Sequence, residues 1–162
     1  MACLGVHFAL PEDLADQVNH LGEAEEVVDL MDDHFKELKA QGWTLESGKG
    51  WDPVHRCLTG GGMEYGDSPE YQCILGSGQI WDGEEWIVNF LDAEEVQEVS
   101  AYIDGISENE LRQGYEKIDP GQYAFRKGEE DFQHTWRLFN EIQKFYRRAA
   151  EAGRWVAFVA DQ

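Results

Sequence analysis

Between Lys49 and Gly60 the chain reads Lys-Gly-Trp-Asp-Pro-Val-His-Arg-Cys-Leu-Thr-Gly. This stretch restricts the local fold more tightly than any other. Pro53 fits the first turn of a helix, where a missing N–H costs nothing. Asp52, just before it, is placed to accept the orphan N–H groups of that turn. The glycine run Gly60-Gly61-Gly62 ends whatever begins there. A short helix from about Pro53 to Leu58 is expected. Val54, Cys57 and Leu58 would share its inward face, with His55 beside it.

The flanking sequence alternates strand and helix patterns. Leu4, Val6 and Phe8 recur at period two in a first strand, Ala2 to Leu10. Pro11 opens a helix with acids in its first turn and Leu14, Val18 and Leu21 as its stripe. Val27, Met31, Phe35 and Leu38 mark a second helix, from about Glu23 to Gln41, which Gly42 stops. From Trp43 to Gly83 the chain is rich in glycine and weakly periodic. Only Tyr71-Gln72-Cys73-Ile74-Leu75 reads there as a short strand. A connection this long is functional or conceals regular structure. Trp86 to Leu91 is a further strand. Asp92 with Glu95, then Ser107 with Glu110, form capping boxes for two helices. The first has the stripe Val96, Val99, Ile103. Asp119-Pro120-Gly121 is a turn. The longest helix follows, from Gly128–Asp131 to about Ala152. Phe132, Trp136, Phe139, Tyr146 and Ala150 line its buried side, with Ile142 and Phe145 at the flanks. Trp155 to Val159 closes the chain as a strand. The order implies an α+β fold with a small central mixed sheet covered by helices and a long C-terminal helix. Residues 1–162 form one domain.

The central stretch resembles the signature of the YfbM-like (DUF1877) family, a bacterial family of unknown function. That family carries Lys-x-Trp-x-x-x-His-x-x-Leu-Thr-Gly near mid-chain, and Lys49, Trp51, His55, Leu58, Thr59 and Gly60 match it position by position. Met1 to Val18 resembles the family's opening strand and Pro-Glu-Asp/Glu-Leu helix. Leu91 to Val96 resembles its Leu-Thr-Pro-Glu-Glu-Val helix start, with Asp92-Ala93 in place of Thr-Pro. Phe145 to Ala150 resembles its last helix. The resemblance implies a fold and a bacterial origin. It implies no activity, because the family has none established.

Charge is the strongest compositional feature. The 162 residues carry a formal net charge of −20. No Lys or Arg precedes Lys36 and none lies between Arg56 and Arg112, while seven of the 13 basic residues lie at or after Arg126. Such a surface repels nucleic-acid phosphate and anionic lipid, and favours cationic partners or simply solubility. No apolar run approaches the roughly 18–20 residues of a membrane span, and no basic leader precedes the first strand. Cys3, Cys57 and Cys73 are widely spaced and lack a Cys-x-x-Cys pair, which reads as reduced thiols in a cytoplasm.

Chemistry is weakly signalled. His7, His20, His34, His55 and His134 are far apart, without ligand spacing, so no metal and no cofactor is expected. Cys57 lies near His55 and Arg56, but neighbours on a helix diverge, and core filler is the plainer reading. Gly60-Gly61-Gly62 and Gly76-Ser77-Gly78 lack the Gly-Lys-Ser/Thr that holds a nucleotide phosphate. Lys49, Trp51, Arg56, Tyr65 and Trp81 could wall a small-ligand pocket, with His55 as its acid/base. The alternative is that Trp51 anchors the core and His55 is a hydrogen-bonded core histidine. Arg137, Glu141, Lys144 and Arg148 share one face of the last helix, a solvated face or one docked on the acidic half.

Two functions follow. The first is a cytoplasmic, non-catalytic interaction protein for a cationic protein partner, including the type that masks a basic toxin or enzyme. The second is a small-molecule hydrolase or transferase built on residues 49–60. Neither nucleic acid nor membrane is expected as a partner.

Overall fold

The computed structural model describes residues 3–77 and 85–161. Trp81 and Gly78 therefore lie outside the described residues. Four strands occur among them: β1 (Gly5–Leu10), β2 (Thr44–Gly48), β3 (Trp86–Leu91) and β4 (Trp155–Asp161). The helices are α1 (Glu12–Asn19), α2 (Ala24–Ala40), α3 (Trp51–Leu58), α4 (Pro69–Gln72), α5 (Ala93–Asp104), α6 (Glu108–Glu116) and α7 (Glu129–Glu151). The class is α+β.

The sheet order is β2-β1-β4-β3. All three pairings are antiparallel, so the expected mixed sheet is corrected. Both faces are covered. Phe8, Leu10, Val88, Ala157 and Val159 pack against α1 and α2. Ala9, Ile87, Leu91, Val156 and Phe158, the alternate residues, pack with the residues of α3 and α5 to α7. Burial on both sides explains why β4 reads as an unbroken small and apolar run from Val156 to Ala160.

Two local expectations fail. β2 was not anticipated, because an edge strand with Thr44, Glu46 and Ser47 has little apolar alternation to show. Tyr71 to Leu75 is not a strand. Its start belongs to α4, and Cys73, Ile74 and Leu75 continue through a turn into the core, almost fully buried. A short apolar run signals burial without fixing a backbone conformation.

Of the two expected capping boxes, Asp92 with Glu95 forms in full, and Ser107 with Glu110 forms only the side-chain-to-N3 half. Asp92 Oδ1 accepts from the Glu95 N–H at 2.8 Å, and Glu95 returns a bond to the Asp92 N–H at 3.1 Å. Ser107 Oγ accepts from the Glu110 N–H at 3.2 Å. Replacing Asp92 with alanine is expected to cost about 1 kcal/mol, read as a lower urea midpoint at unchanged slope.

α7 is rotated slightly from its expected phase. Ile142 and Phe145, placed at the flanks, are buried, while Trp136 and Ala150 are only half-buried. At its end Arg148 leaves the expected solvated row. Its guanidinium donates to the Gly42 and Gln41 carbonyls at the close of α2 and lies 3.9 Å from the Trp43 ring. Arg154 approaches the same ring at 4.0 Å and donates to the Ala9 carbonyl. Carbonyls just past the end of α2 and the Trp43 indole face thereby tie the end of α7 to the α2–β2 connection.

Candidate functional site

The Lys49-to-Gly60 stretch leaves the edge strand β2 and enters α3. Gly48 takes φ +56, and the Gly50 N–H donates to the Ser47 carbonyl at 2.9 Å. α3 starts at Trp51, two residues before the proline, with Gly50 as its cap and no side-chain cap bond. Asp52 is therefore inside the helix and is not the N-cap. Its carboxylate instead accepts from Arg56 Nε at 2.7 Å, one turn on.

Trp51 is 4% exposed. Its ring meets Phe158 edge-on at 5.7 Å, and its Nε1–H donates to the Cys3 carbonyl at 2.8 Å. It lies over Gly5, where a Cβ would come within 2.6 Å of the indole Cδ1. Only a glycine on that face of β1 lets the indole reach the sheet.

His55 is fully buried. Nε2 lies 2.8 Å from the Glu64 carbonyl. A carbonyl only accepts, so Nε2 carries the proton and Nδ1 is the bare nitrogen. Nδ1 is buried and has no hydrogen-bond partner among the described residues. Desolvation pulls the His55 pKa below its usual value, against the opposing pull of the Glu64 hydrogen bond. Burial, with help from the Asp131 charge, pushes the Cys57 thiol up to about 12. A thiol so placed stays protonated at neutral pH and is a poor nucleophile.

Arg56, only 8% exposed, is also committed. Beyond Asp52, its Nη2 donates to the Gln122 carbonyl at 3.3 Å, which ties α3 to the segment entering α7. That segment is fixed from the other side by a shared carboxylate. The hydroxyls of Tyr115 and Tyr123 both donate to Asp131 Oδ2 at 2.7 Å. Burial, then the neighbouring carboxylate, pushes the Tyr115 hydroxyl up to about 12. On α6, Gly114 lies so close to the Cys57 carbonyl that a side chain there would collide with backbone.

Of the expected pocket residues, Lys49 and Trp51 come together. They line a hollow of about 210 Å³ with Cys3, Asp52, Ala124 and Phe125. His55 and Arg56 do not line it, and Tyr65 is 48% exposed elsewhere on the surface. Sequence reading missed Cys3, Ala124 and Phe125. The one available signal was the apolar Tyr-Ala-Phe run after the Asp119-Pro120-Gly121 turn. Among the described residues no group of three or more His, Cys, Asp or Glu is placed to hold a metal. No helix among them is long and apolar enough to cross a membrane.

The fold is similar to the crystal structure of a protein of unknown function, YfbM from Escherichia coli. The TM-score is 0.71 at 20% identity, over 97% of this chain and 99% of that one. At that identity the likeness speaks for the fold alone. No curated protein matches the chain. Residues 1–159 match the family described as Domain of unknown function (DUF1877). The match agrees with the resemblance read from Lys49 to Gly60, and the chain belongs to that family.

Proposed function

We propose that the chain works in the bacterial cytoplasm as a one-domain, non-catalytic interaction protein that receives a cationic protein partner on its α1–α2 face. One observation carries this reading. Asp13, Asp16, Glu25, Asp29, Asp32 and Glu37 are exposed on the two helices. Among the described residues none of them lies within 4.0 Å of a Lys, Arg or His nitrogen. Four basic residues pair with other carboxylates: Lys39 with Glu46, Arg56 with Asp52, Arg112 with Glu129, Arg147 with Asp104; Lys36 is the exposed base that α2 adds to the face. Unpaired carboxylates on one face raise the encounter rate with a basic surface and discriminate against acidic ones. A partner of the basic toxin or basic enzyme type fits that chemistry. The sealed His55 and the protonated Cys57 thiol favour this reading over hydrolysis or group transfer at the same stretch.

The test compares the protein with a variant carrying Glu25→Gln, Asp29→Asn and Asp32→Asn. Each is immobilised and offered cell lysate at about 50 mM and about 300 mM salt, which brackets the useful screening range. Wild type is expected to retain a discrete basic protein at the lower salt and to release most of it at the higher. The variant, with an unchanged melting temperature, should retain little. Equal retention by the two proteins, or none by wild type at either salt, overturns the reading.

A further inference from the structure

The hollow beside Trp51 is separate from the acidic face and stands or falls independently of it. Its floor and walls are apolar, built from the Trp51 and Phe125 rings with Ala124 and Cys3. Two charged residues sit on its rim, and they differ. The Asp52 carboxylate already accepts from Arg56 Nε at 2.7 Å, so its charge is offset. The Lys49 side chain is exposed, and among the described residues no carboxylate lies within ion-pair distance of it. The rim thus carries one uncompensated positive charge in a chain whose net charge is −20.

We propose that this hollow binds a small organic monocarboxylate, an aromatic ring or short branched chain bearing one acid group. The apolar part would lie between Trp51 and Phe125, and the acid would accept from Lys49 Nζ. Size sets the class. At about 210 Å³ the hollow is smaller than the roughly 300–1,000 Å³ of sites for drug-sized ligands. It takes one ring and a short side chain, not a nucleotide or a peptide. Charge sets the sign, because an amine would meet Lys49 and an uncharged analogue would leave it without a counter-charge.

The backbone supports a built wall. Cys3 adopts φ +46, a conformation that only glycine enters freely, and it does so while its carbonyl accepts from the Trp51 indole N–H. The strained residue and the indole therefore hold one another in place on one side of the hollow. Across from them, the segment carrying Ala124 and Phe125 is pinned by the Tyr123 hydroxyl on Asp131 and the Gln122 carbonyl on Arg56. Both walls stand before any ligand arrives, which lowers the ordering cost of binding.

Phenylacetate is the probe, with phenethylamine as its cationic counterpart of similar shape. The readout is the assigned Trp51 indole N–H resonance in the full protein. Phenylacetate should move it saturably, with a dissociation constant of about 1–10 mM, as expected for a ligand of this size. Phenethylamine should leave it unmoved. Lys49→Gln should weaken phenylacetate about tenfold. Ala124→Trp, at an exposed position, should fill the hollow and abolish the shift without changing the melting temperature. No saturable shift in wild type, equal shifts from acid and amine, or undiminished binding in either variant would overturn the proposal.

Discussion

Replacing Trp51 with alanine is expected to destabilise the protein by about 4 kcal/mol, the range for a large buried aromatic. Three losses combine. The indole is almost wholly buried and meets Phe158 edge-on. Its removal opens a void over Gly5, which has no side chain to move into it. The Cys3 carbonyl loses its donor as well. Urea denaturation would read the change as a lower midpoint at constant slope, and thermal melting as a drop of roughly 10 °C for a domain of this size. Trp51→Phe keeps most of the ring and loses only the bond and some volume, so about 1–2 kcal/mol is expected. A cost below about 1 kcal/mol for the alanine variant would show that Trp51 does not anchor the core.

Stability is expected to fall with acid, and the buried His7 is one cause. It sits at the middle of β1, fully buried, with Phe158, Phe145 and Tyr146 around its ring at 4.7–5.8 Å. Nε2–H donates to the Cys73 carbonyl at 2.9 Å, and the Tyr146 hydroxyl donates to the same oxygen at 2.8 Å. Nδ1 has no partner among the described residues. Protonating it would strand a charge in that core, so burial lowers its pKa from 6.5 to about 4.

The sign follows from linkage. The unfolded histidine takes up a proton near pH 6.5, and the folded one resists until about pH 4. Its contribution is therefore intact above pH 6.5 and is lost as the pH falls toward 4, by about 2–3 kcal/mol at pH 4.5. His55, also lowered by burial, acts in the same direction. Carboxylates titrate over the same range, so the comparison must be between variants. His7→Gln keeps a donor for the Cys73 carbonyl and removes the titration. Urea midpoints at pH 7.0 and pH 4.5 should differ by about 2–3 kcal/mol less in this variant than in wild type. Equal differences would show that His7 does not control the acid response.

What the sequence disclosed depended on whether a residue's role was local. Capping is local: Asp92 with Glu95 and Ser107 with Glu110 are three residues apart, and both starts are where their spacing puts them. Helical stripes are local as well, which is why Val27, Met31 and Leu38 are buried as expected. β2 was hidden because an edge strand with one covered face imposes little on its composition. The site was hidden for a stronger reason. Asp52 next to Pro53 looked like a cap, and only the actual start of α3 and the reach of Arg56 gave it another partner. Cys3 and Phe125 meet around Trp51 although far apart in the chain, and no periodicity records such a meeting. The signature residues Lys49, Trp51 and His55 were legible as a group. Their division was not: Lys49 faces the solvent, Trp51 the core and His55 a carbonyl.

The two inner strands, Gly5–Leu10 and Trp155–Asp161, are neighbours in the sheet but far apart in sequence. During translation the earlier strand leaves the ribosome with its principal neighbour not yet made. Until residues 155–161 appear, Gly5–Leu10 keeps one hydrogen-bonding side open, and Trp86–Leu91 waits for the strand it pairs with among the described residues. A nascent chain stalled before that point is a two-stranded ribbon with a bare apolar face, too small to persist alone and prone to association with other chains.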